Sequence, residues 1–345
     1  MILKGRPMMN PMLDIIVTHY NEPWSICEKY FTMLRLQHGA DFSKIRVIII
    51  HDGVKPFPKR YFKHLPYRVE QHRIDHGGIS AARNEGIRLS KAEWIMFCDI
   101  DDMFSNIYAL RDLLTVLPAP NFDLIWSRFI SEDVHKDGTM VLHERKKRNV
   151  VFIHGKMFRR EFIVKNDVWF DSDLTFNEDS LFCSTLETLF DPNRVGQLNS
   201  LMIPYVWCFR NGSLTSTAEN RDEALEGSWI RNKKLCEIHR KNLSEDRYNG
   251  QVARTIWDAY YTMNSDNHTP KMEEMRADFR EWYKTHKGCM EKADPELMKQ
   301  IHRISKLEHD TGDNEGEARW EGWKGFPCKK EIPISEWLKG MEQDV

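Results

Sequence analysis

Three carboxylates that follow a run of apolar residues are the strongest indication of chemistry in this chain. Residues 94–98 are all apolar and lead directly into Asp99, Asp101 and Asp102. Such a run predicts a fully buried strand, and open α/β sheets bind ligands beyond the carboxyl ends of their strands. Neighbouring carboxylates repel one another unless a cation neutralises them. Hard oxygen ligands of this kind suit Mg²⁺ or Mn²⁺ holding a phosphorylated compound, whereas a D-x-D spacing by itself is more often a solvated acidic turn.

The composition is that of a globular protein. The chain has 345 residues, of which 41% are hydrophobic and 30% charged, and its net charge is −2. This length suffices for one large domain or two ordinary ones. A nearly neutral chain has no overall field that would recruit nucleic acid or an anionic membrane, so any such contact must come from a local patch.

The cysteines and the hydropathy of the chain indicate the cellular compartment in which the protein is expected. The seven cysteines are scattered and form no C-x-x-C pair, which argues against a disulfide framework or a zinc site. No apolar run approaches the roughly 18 residues of a transmembrane helix, and residues 1–10 lack the apolar core of a signal peptide. We therefore expect a cytoplasmic protein without a transmembrane segment. The oligomeric state is left open.

Strand and helix signals alternate over the first hundred residues. The strand-like runs are continuously apolar, which is typical of strands buried on both faces. This alternation predicts an α/β domain, with a mostly parallel sheet and helices on both faces. The predicted strands are 13–18, 45–50, 67–74 and 94–98, and the predicted helices are 24–37 and 79–89.

The chain changes character further on. Short strands are predicted at 123–126, 150–153 and 201–209, and helices at 156–165 and 178–190. Beyond residue 216, aromatic and apolar residues recur at helical spacing without strand-like runs. We therefore predict an α/β domain over 1–215 and an all-helical extension over 216–345. The extension has a Trp-rich tail whose Trp320, Trp323 and Trp337 are expected to pack as core anchors.

The order of the short motifs resembles that of a family-2 glycosyltransferase of the GT-A fold. Each motif is weak by itself, but seven in the family's order, over roughly residues 13–215, are specific. The helical extension has no counterpart in this resemblance. The matching segments are Ile16-Val17-Thr18-His19-Tyr20-Asn21, His51-Asp52-Gly53, 77–84, 99–102, 155–160, Glu178-Asp179 with Phe182, and Arg210-Asn211-Gly212-Ser213.

The resemblance implies a metal-dependent, inverting transfer of a sugar from a nucleotide-diphosphate donor, most simply a UDP-sugar, to an acceptor hydroxyl. It implies that Asp101, supported by Asp99, holds Mn²⁺ or Mg²⁺. Asp179 would be the general base, and Glu178 would orient it or the sugar. The donor would be contacted by Thr18, Tyr20, Asn21, Glu22, Asp52, Arg83, Asp99, Asp102, Arg210 and Ser213.

Several of these positions also have a physical interpretation. Tyr20 and Asp52 lie where two predicted strands end, at the crevice where α/β sheets bind nucleotides. In the family, the tyrosine packs on the base and the aspartate accepts a hydrogen bond from it. His51 departs from the acid that is usual at its position. Arg83 suits either a diphosphate contact or a structural ion pair.

Alternative functions and the acceptor are left open by the sequence. A nucleotidyltransferase would release pyrophosphate, and a catalytically inactive sugar-nucleotide-binding module would not need the intact acids. The acceptor could be a glycan, a protein or a hydroxylated base in nucleic acid. Two basic segments, 55–68 and 145–148, are either solvated faces or contacts for an anionic polymer such as nucleic acid.

Overall fold

The computed structural model describes residues 11–63, 65–118, 121–134, 138–146, 151–210, 213, 221–296, 298–303, 329 and 332–343. The chain divides into two compact units. The first takes its described residues from 1–132, 142–173 and 178–209, and the second from 133–141, 174–177 and 210–345. The domain boundary near residue 216 stays a prediction.

The strands form two sheets. One has seven strands in the order β10-β6-β9-β4-β1-β2-β3, and the other has four in the order β5-β11-β7-β8. The strands are β1 (Leu13–His19), β2 (Ile45–Asp52), β3 (Arg68–Ile74), β4 (Trp94–Asp99), β5 (Met103–Phe104), β6 (Leu124–Trp126), β7 (Phe129–Val134), β8 (Met140–Arg145), β9 (Lys156–Arg159), β10 (Val195–Gln197) and β11 (Tyr205–Trp207).

Helices account for most of the remaining regular structure. The first unit contains α1 (Trp24–Leu36), α2 (Gly78–Leu89), α3 (Ala109–Val116), α4 (Arg160–Lys165) and α5 (Glu178–Glu187). The second contains α6 (Arg221–Asn242), α7 (Glu245–Met263), α8 (Pro270–His286), α9 (Gly288–Lys292) and a further helix at Ile334–Gln343.

The seven-stranded sheet is mostly parallel and is covered on both faces, as predicted. Strands β3, β2, β1 and β4 run parallel, and β9 is antiparallel to its neighbours β4 and β6. Successive residues of β1 face opposite sides. Ile15 lies in a buried cluster with Tyr30 and Phe31 of α1, whereas Ile16 lies in another with Ile87 of α2. The predicted α/β class is therefore confirmed.

The prediction for 150–165 is wrong for 151–153 and 156–159, correct for the helix over 160–165, and falls outside the described residues at 150. Residues 151–153 are not a strand, and the helix predicted from residue 156 begins only at Arg160. Residues Lys156–Arg159 instead form β9, in which Met157 and Phe158 are buried. Met157 is paired with Met96 on one side and Ile125 on the other. Burial between two strands thus outweighs the helical propensity of this short segment.

A buried ion pair lies at the amino-terminal edge of the seven-stranded sheet. Asp14 at the start of β1 is fully buried, and Arg46 at the start of β2 donates to both of its oxygens at 2.8 and 2.6 Å. Ser90 and the backbone N–H groups of Lys91 and Ala92 also donate to Asp14, at 2.6, 2.8 and 3.0 Å. The pair thereby ties the first two strands to the turn between α2 and β4.

The second unit has its own core. Trp229 of α6, Ile256 of α7 and Phe279 of α8 pack in one cluster with Trp337. Trp337 is therefore a core residue, as predicted, while Trp320 and Trp323 lie outside the described residues. None of the helices searched within the described residues is both long and apolar enough to cross a membrane.

Candidate functional site

The carboxyl ends of β1, β2 and β4 meet at one edge of the seven-stranded sheet. Thr18 on β1 is in register with Asp99 on β4, and its Oγ1 donates to Asp99 Oδ1 at 3.1 Å. His19 on β1 is in register with His51 on β2. The parallel register thus brings together three of the segments on which the chemical predictions rest.

Arg83 joins two groups of acids that are far apart in sequence. It lies on α2, is 3% exposed, and donates to Asp99 at 3.1 Å and to Glu178 at 2.7 Å. Its guanidinium also packs 5.3 Å from the ring centre of Phe170. The sequence left a diphosphate contact and a structural ion pair open for Arg83, and the described geometry is that of the ion pair.

The acid pair that begins α5 is partly desolvated. Burial raises the pKa of Glu178 to about 7, with a further contribution from Asp179 and opposition from Arg83. Burial also raises the pKa of Asp179, although the charges of Arg83 and Lys156 lower it. A carboxylate with a raised pKa is a stronger proton acceptor, which suits the general base predicted here.

Asp102 lies beneath this edge rather than on its surface. It is 1% exposed, accepts a hydrogen bond from the Cys208 N–H at 2.8 Å, and accepts another from the Tyr205 hydroxyl. Its pKa is raised well above the ordinary value by burial first, and then by the charges of Asp101 and Asp99. Asp102 therefore anchors the turn after β4 to β11 and its flank.

A group of three side chains at this edge has the donors that a divalent cation needs. Asp99, Asp102 and His154 each offer one ligand atom, and these atoms lie within 4.8 Å of one another. The mutual repulsion that raises the pKa of Asp102 is the kind that a bound cation relieves. Carboxylate ligands suit Mg²⁺ and Mn²⁺. The donor set therefore fits the predicted metal, but Asp101 is not in the group, and its role as a ligand stays a prediction.

Sequence reasoning missed His154. It lies directly before Gly155-Lys156, which was noted only as part of the resemblance. Its ring stacks on Tyr205, with ring centres 5.3 Å apart, and the hydroxyl of Tyr205 donates to Asp102. An imidazole adjoining a matched motif was the available signal, but only the fold places it near β4.

Asp52 connects the end of β2 to the start of α2. Its carboxylate accepts from the N–H groups of Gly77 and Gly78 at 2.7 and 3.0 Å and contacts His76 Nδ1 at 2.9 Å. Gly78 has a φ of 81°, a conformation that favours glycine. Tyr20 is 44% exposed and stacks on His76, with ring centres 4.5 Å apart. Tyr20 thus presents an aromatic surface just beyond the carboxyl end of β1.

A chain of hydrogen bonds joins the carboxyl ends of β1 and β2 to β3. Phe57 fixes the amide of Gln71, because its N–H donates to Oε1 at 2.8 Å and its carbonyl accepts from Nε2 at 3.1 Å. Gln71 Oε1 must then accept from His51 Nε2 at 3.0 Å. Burial lowers the pKa of His51 to about 4, and its Nδ1 lies 2.8 Å from Nδ1 of His19.

The remaining predicted donor contacts are distributed over both units. Asn21 is exposed, and Glu22 accepts a hydrogen bond from the Tyr20 N–H at 2.9 Å. Arg210 and Ser213 belong to the second unit, where the Ser213 N–H donates to the Arg210 carbonyl at 3.2 Å. The donor-binding roles of these four residues stay predictions.

Comparisons with known proteins identify the family of the first unit. Residues 14–173 match the model of glycosyl transferase family 2. The chain is 27% identical over 229 residues to an uncharacterized glycosyltransferase, EpsJ, of Bacillus subtilis, covering 60% of this chain and 64% of that one. It is 24% identical over 201 residues to the poly(ribitol-phosphate) β-N-acetylglucosaminyltransferase TarS of Staphylococcus aureus, covering 54% and 34%.

Solved structures support the fold. A crystal structure of S. aureus TarS matches with a TM-score of 0.59 at 17% identity, over 87% of this chain and 54% of that one. A complex of TarS residues 1–349 with UDP-GlcNAc matches with a TM-score of 0.50 at 17% identity, over 88% and 92%. The chain thus spans 64% of the length of EpsJ and 34% of TarS. Residues 14–173 belong to glycosyl transferase family 2, and the surrounding fold is of the GT-A type.

Proposed function

We propose that this chain transfers a sugar from a nucleotide-diphosphate donor, most simply a UDP-sugar, to an acceptor hydroxyl, with inversion at the anomeric carbon. The observation that carries the proposal is the ion-pair network through Arg83. It joins Asp99, at the donor end of β4, to Glu178, at the start of α5. One network thus spans the predicted donor site and the predicted base.

The chemistry assigned to the chain is a direct displacement. The acceptor oxygen bonds to the anomeric carbon, the bond from that carbon to the diphosphate oxygen breaks, and Asp179 takes the acceptor proton. Glu178, held by Arg83 at 2.7 Å, orients its neighbour. A single base implies that the product has the opposite anomeric configuration to the donor.

We propose that Asp99, Asp102 and His154, together with the predicted ligand Asp101, would hold Mn²⁺ or Mg²⁺. When bound, the ion would supply positive charge that stabilises the departing nucleoside diphosphate. The chain itself positions the donor. Tyr20 offers a face for the base, and Asp52 fixes the start of α2 beside it.

Relatives support the donor class and narrow the acceptor. The matched TarS structure was solved with UDP-GlcNAc, and TarS and TarP of S. aureus are named for transfer to poly(ribitol phosphate). We propose a UDP-sugar donor and an acceptor of the teichoic-acid type for this chain. The cytoplasmic location stays a prediction.

A donor panel tests the proposal directly. Purified protein is incubated with UDP-sugars and Mn²⁺, and release of UDP is measured against release of pyrophosphate. UDP release supports glycosyl transfer, pyrophosphate release would indicate a nucleotidyltransferase, and binding without release would indicate an inactive module.

Metal dependence is tested by calorimetric titration of UDP with and without Mn²⁺. Asp101→Ala should abolish the Mn²⁺-dependent part of UDP affinity, because a carboxylate ligand is lost. Glu161→Ala is the control, since Glu161 is an exposed acid on α4. Unchanged Mn²⁺-dependent affinity in Asp101→Ala would contradict the assignment.

A further inference from the structure

The segment between β2 and β3 carries a group of exposed cations. We call the side chains of Lys55, Lys59, Arg60 and Lys63 the basic strip, and all four are exposed. The nearby Arg68, by contrast, forms an ion pair with Glu70 at 2.6 Å. Within the described part of the chain, no strip residue lies within ion-pair distance of an acid. Four charges therefore stand uncompensated in a chain whose net charge is −2.

The aromatic residues of the same segment face inward. Phe57 packs on His19 with ring centres 4.4 Å apart, and Tyr61 stacks on Trp24 at 3.7 Å. Phe62 packs in the same cluster as Trp24, and none of these aromatic side chains is among the exposed large apolar residues. Arg60 lies over the ring of Tyr61, 5.2 Å from its centre, so the basic side chains are exposed while the aromatic rings of the segment are half-buried.

This difference in exposure restricts what the strip can bind. Single-stranded nucleic acids are held by bases stacked on exposed aromatic rings as well as by cations. Membrane-surface segments insert exposed apolar side chains between lipids. The basic strip offers neither feature and presents charge alone, which suits a flexible polymer that carries a phosphate in every repeat.

The strip is also fixed next to the ligand edge of the sheet. It begins three residues after Asp52, the last residue of β2. The backbone N–H and carbonyl of Phe57 form hydrogen bonds with the side-chain amide of Gln71 on β3, at 2.8 and 3.1 Å. The cations therefore project from a segment that the fold anchors beside the proposed donor crevice.

We propose that the basic strip docks a phosphodiester-linked polyol polymer and so guides this acceptor class toward the site. The inference rests on the proposed function, which supplies the hydroxyl-bearing acceptor, and the poly(ribitol phosphate) of the relatives suggests the polyol. Each strip residue neutralises one phosphate of the polymer and releases its counterions. Binding is therefore expected to weaken steeply as salt rises.

The test is a fluorescence-polarisation titration of labelled poly(ribitol phosphate) at several salt concentrations. The variant K55Q/K59Q/R60Q/K63Q should lose at least about tenfold in affinity. The slope of log affinity against log salt should fall by about 3, at roughly 0.7 per contact. The control K91Q/K165Q/K241Q/K339Q removes four exposed lysines elsewhere and should bind as the parent does.

Further arms separate the alternatives. Poly(U) and phosphatidylglycerol vesicles should bind more weakly than the polymer at equal phosphate concentration, and tighter binding of either would overturn the proposal. Equal polymer affinity in the strip variant and the parent would overturn it as well. UDP release from the donor in the absence of acceptor should be the same in both proteins. If the proposed function is wrong, neither protein will release UDP from the donor, whatever the result of the polymer-binding titration.

Discussion

The two edges of the seven-stranded sheet treat buried acids in opposite ways. At the amino-terminal edge, burial favours the neutral form of Asp14, but Arg46, Ser90 and two backbone N–H groups hold its pKa below the usual range. At the carboxyl edge, Asp102, Glu178 and Asp179 all have raised pKa values, with burial as the leading cause. At the amino-terminal edge, hydrogen bonds and a cation stabilise the ionised form of the acid. At the carboxyl edge, these three acids lack enough such partners to offset burial.

The difference indicates which acids serve the fold and which serve chemistry. Asp14 receives five hydrogen bonds from two parts of the chain, Arg46 and the turn 90–92, which are the contacts expected of a structural clamp. At the other edge, Arg83 is shared between Asp99 and Glu178. A cluster with more carboxylates than cationic partners lowers the stability of the fold. Such clusters are typical of functional sites, where a bound ligand supplies the missing positive charge.

The largest expected effect is on turnover at the carboxyl edge. Asp179→Asn keeps the size of the side chain but removes the proton acceptor, so turnover should fall about 10²–10⁴-fold. Affinity for UDP and Mn²⁺ should be nearly unchanged, because the base acts on the acceptor. Steady-state kinetics and calorimetry measure both, and NMR of the product reports the anomeric configuration. Retained turnover or a retained configuration would refute the proposed mechanism.

The next largest effect is on stability at the amino-terminal edge. Asp14→Asn removes one of the two carboxylates that pair with the buried guanidinium of Arg46 among the described residues and leaves Glu70, at 3.1 Å. Breaking a buried pair by removing one partner costs about 3–5 kcal/mol. Chemical denaturation followed by circular dichroism should show this loss in the free energy of unfolding. A loss below about 1 kcal/mol would mean that the two edges do not differ as described.

A pH-dependent effect is expected from Glu178. Its pKa is raised from 4.5 to about 7, so the folded chain binds more protons than the unfolded chain within that window. The free energy of unfolding therefore falls as pH rises from about 4.5 to 7, by up to roughly 3 kcal/mol. Glu178→Gln should remove the part of this fall that Glu178 contributes, whereas Asp179, whose pKa is also raised, keeps its own part.

Parent and Glu178→Gln must be compared at equal pH, because His51 imposes the opposite slope. Its pKa is lowered to about 4, so the stability it contributes above the unfolded value of 6.5 is lost as pH falls toward 4. The difference between the two proteins isolates Glu178. A difference that is constant from pH 4.5 to 7 would contradict the raised pKa.

The smallest expected effect is on the free energy of unfolding of Asp102→Asn, which compares the two edges directly. Asp102→Asn makes the same chemical change as Asp14→Asn at the other edge. The amide can still accept from the Cys208 N–H and meet the Tyr205 hydroxyl, while repulsion from Asp99 and Asp101 disappears. The free energy of unfolding should stay within about 1 kcal/mol of the parent or rise. A loss as large as that of Asp14→Asn would make Asp102 a structural clamp instead.

The sequence predicted the parts of the fold that are governed by long patterns. Strands β1, β2 and β4 are continuous apolar runs, and each was predicted to within two residues of its observed end. Strand β9 was missed because four residues carry no periodicity, and only pairing with β4 and β6 defines it. The four-stranded sheet was missed for the same reason, apart from β11 within the predicted strand 201–209.

The individual residues of the candidate site could be predicted from the sequence, but the contacts between their side chains could not. Asp99 and Glu178 stood out as acids at element ends, yet their shared partner Arg83 is 16 residues from one and 95 from the other. His154 carried no spacing signal toward Asp99. Such contacts depend on how helices and strands are placed in three dimensions, which no local pattern encodes.

Helix α2 links the proposed nucleotide site to the acid pair at the start of α5. Its first residues are bound by Asp52, beneath the face that Tyr20 presents, and one turn later its Arg83 reaches Asp99 and Glu178. Under the proposed function, a movement of α2 on nucleotide binding would also move Arg83, which contacts Glu178. Linkage is reciprocal, so an acceptor that favours one position of α2 must change nucleotide affinity by the same factor by which nucleotide changes acceptor affinity.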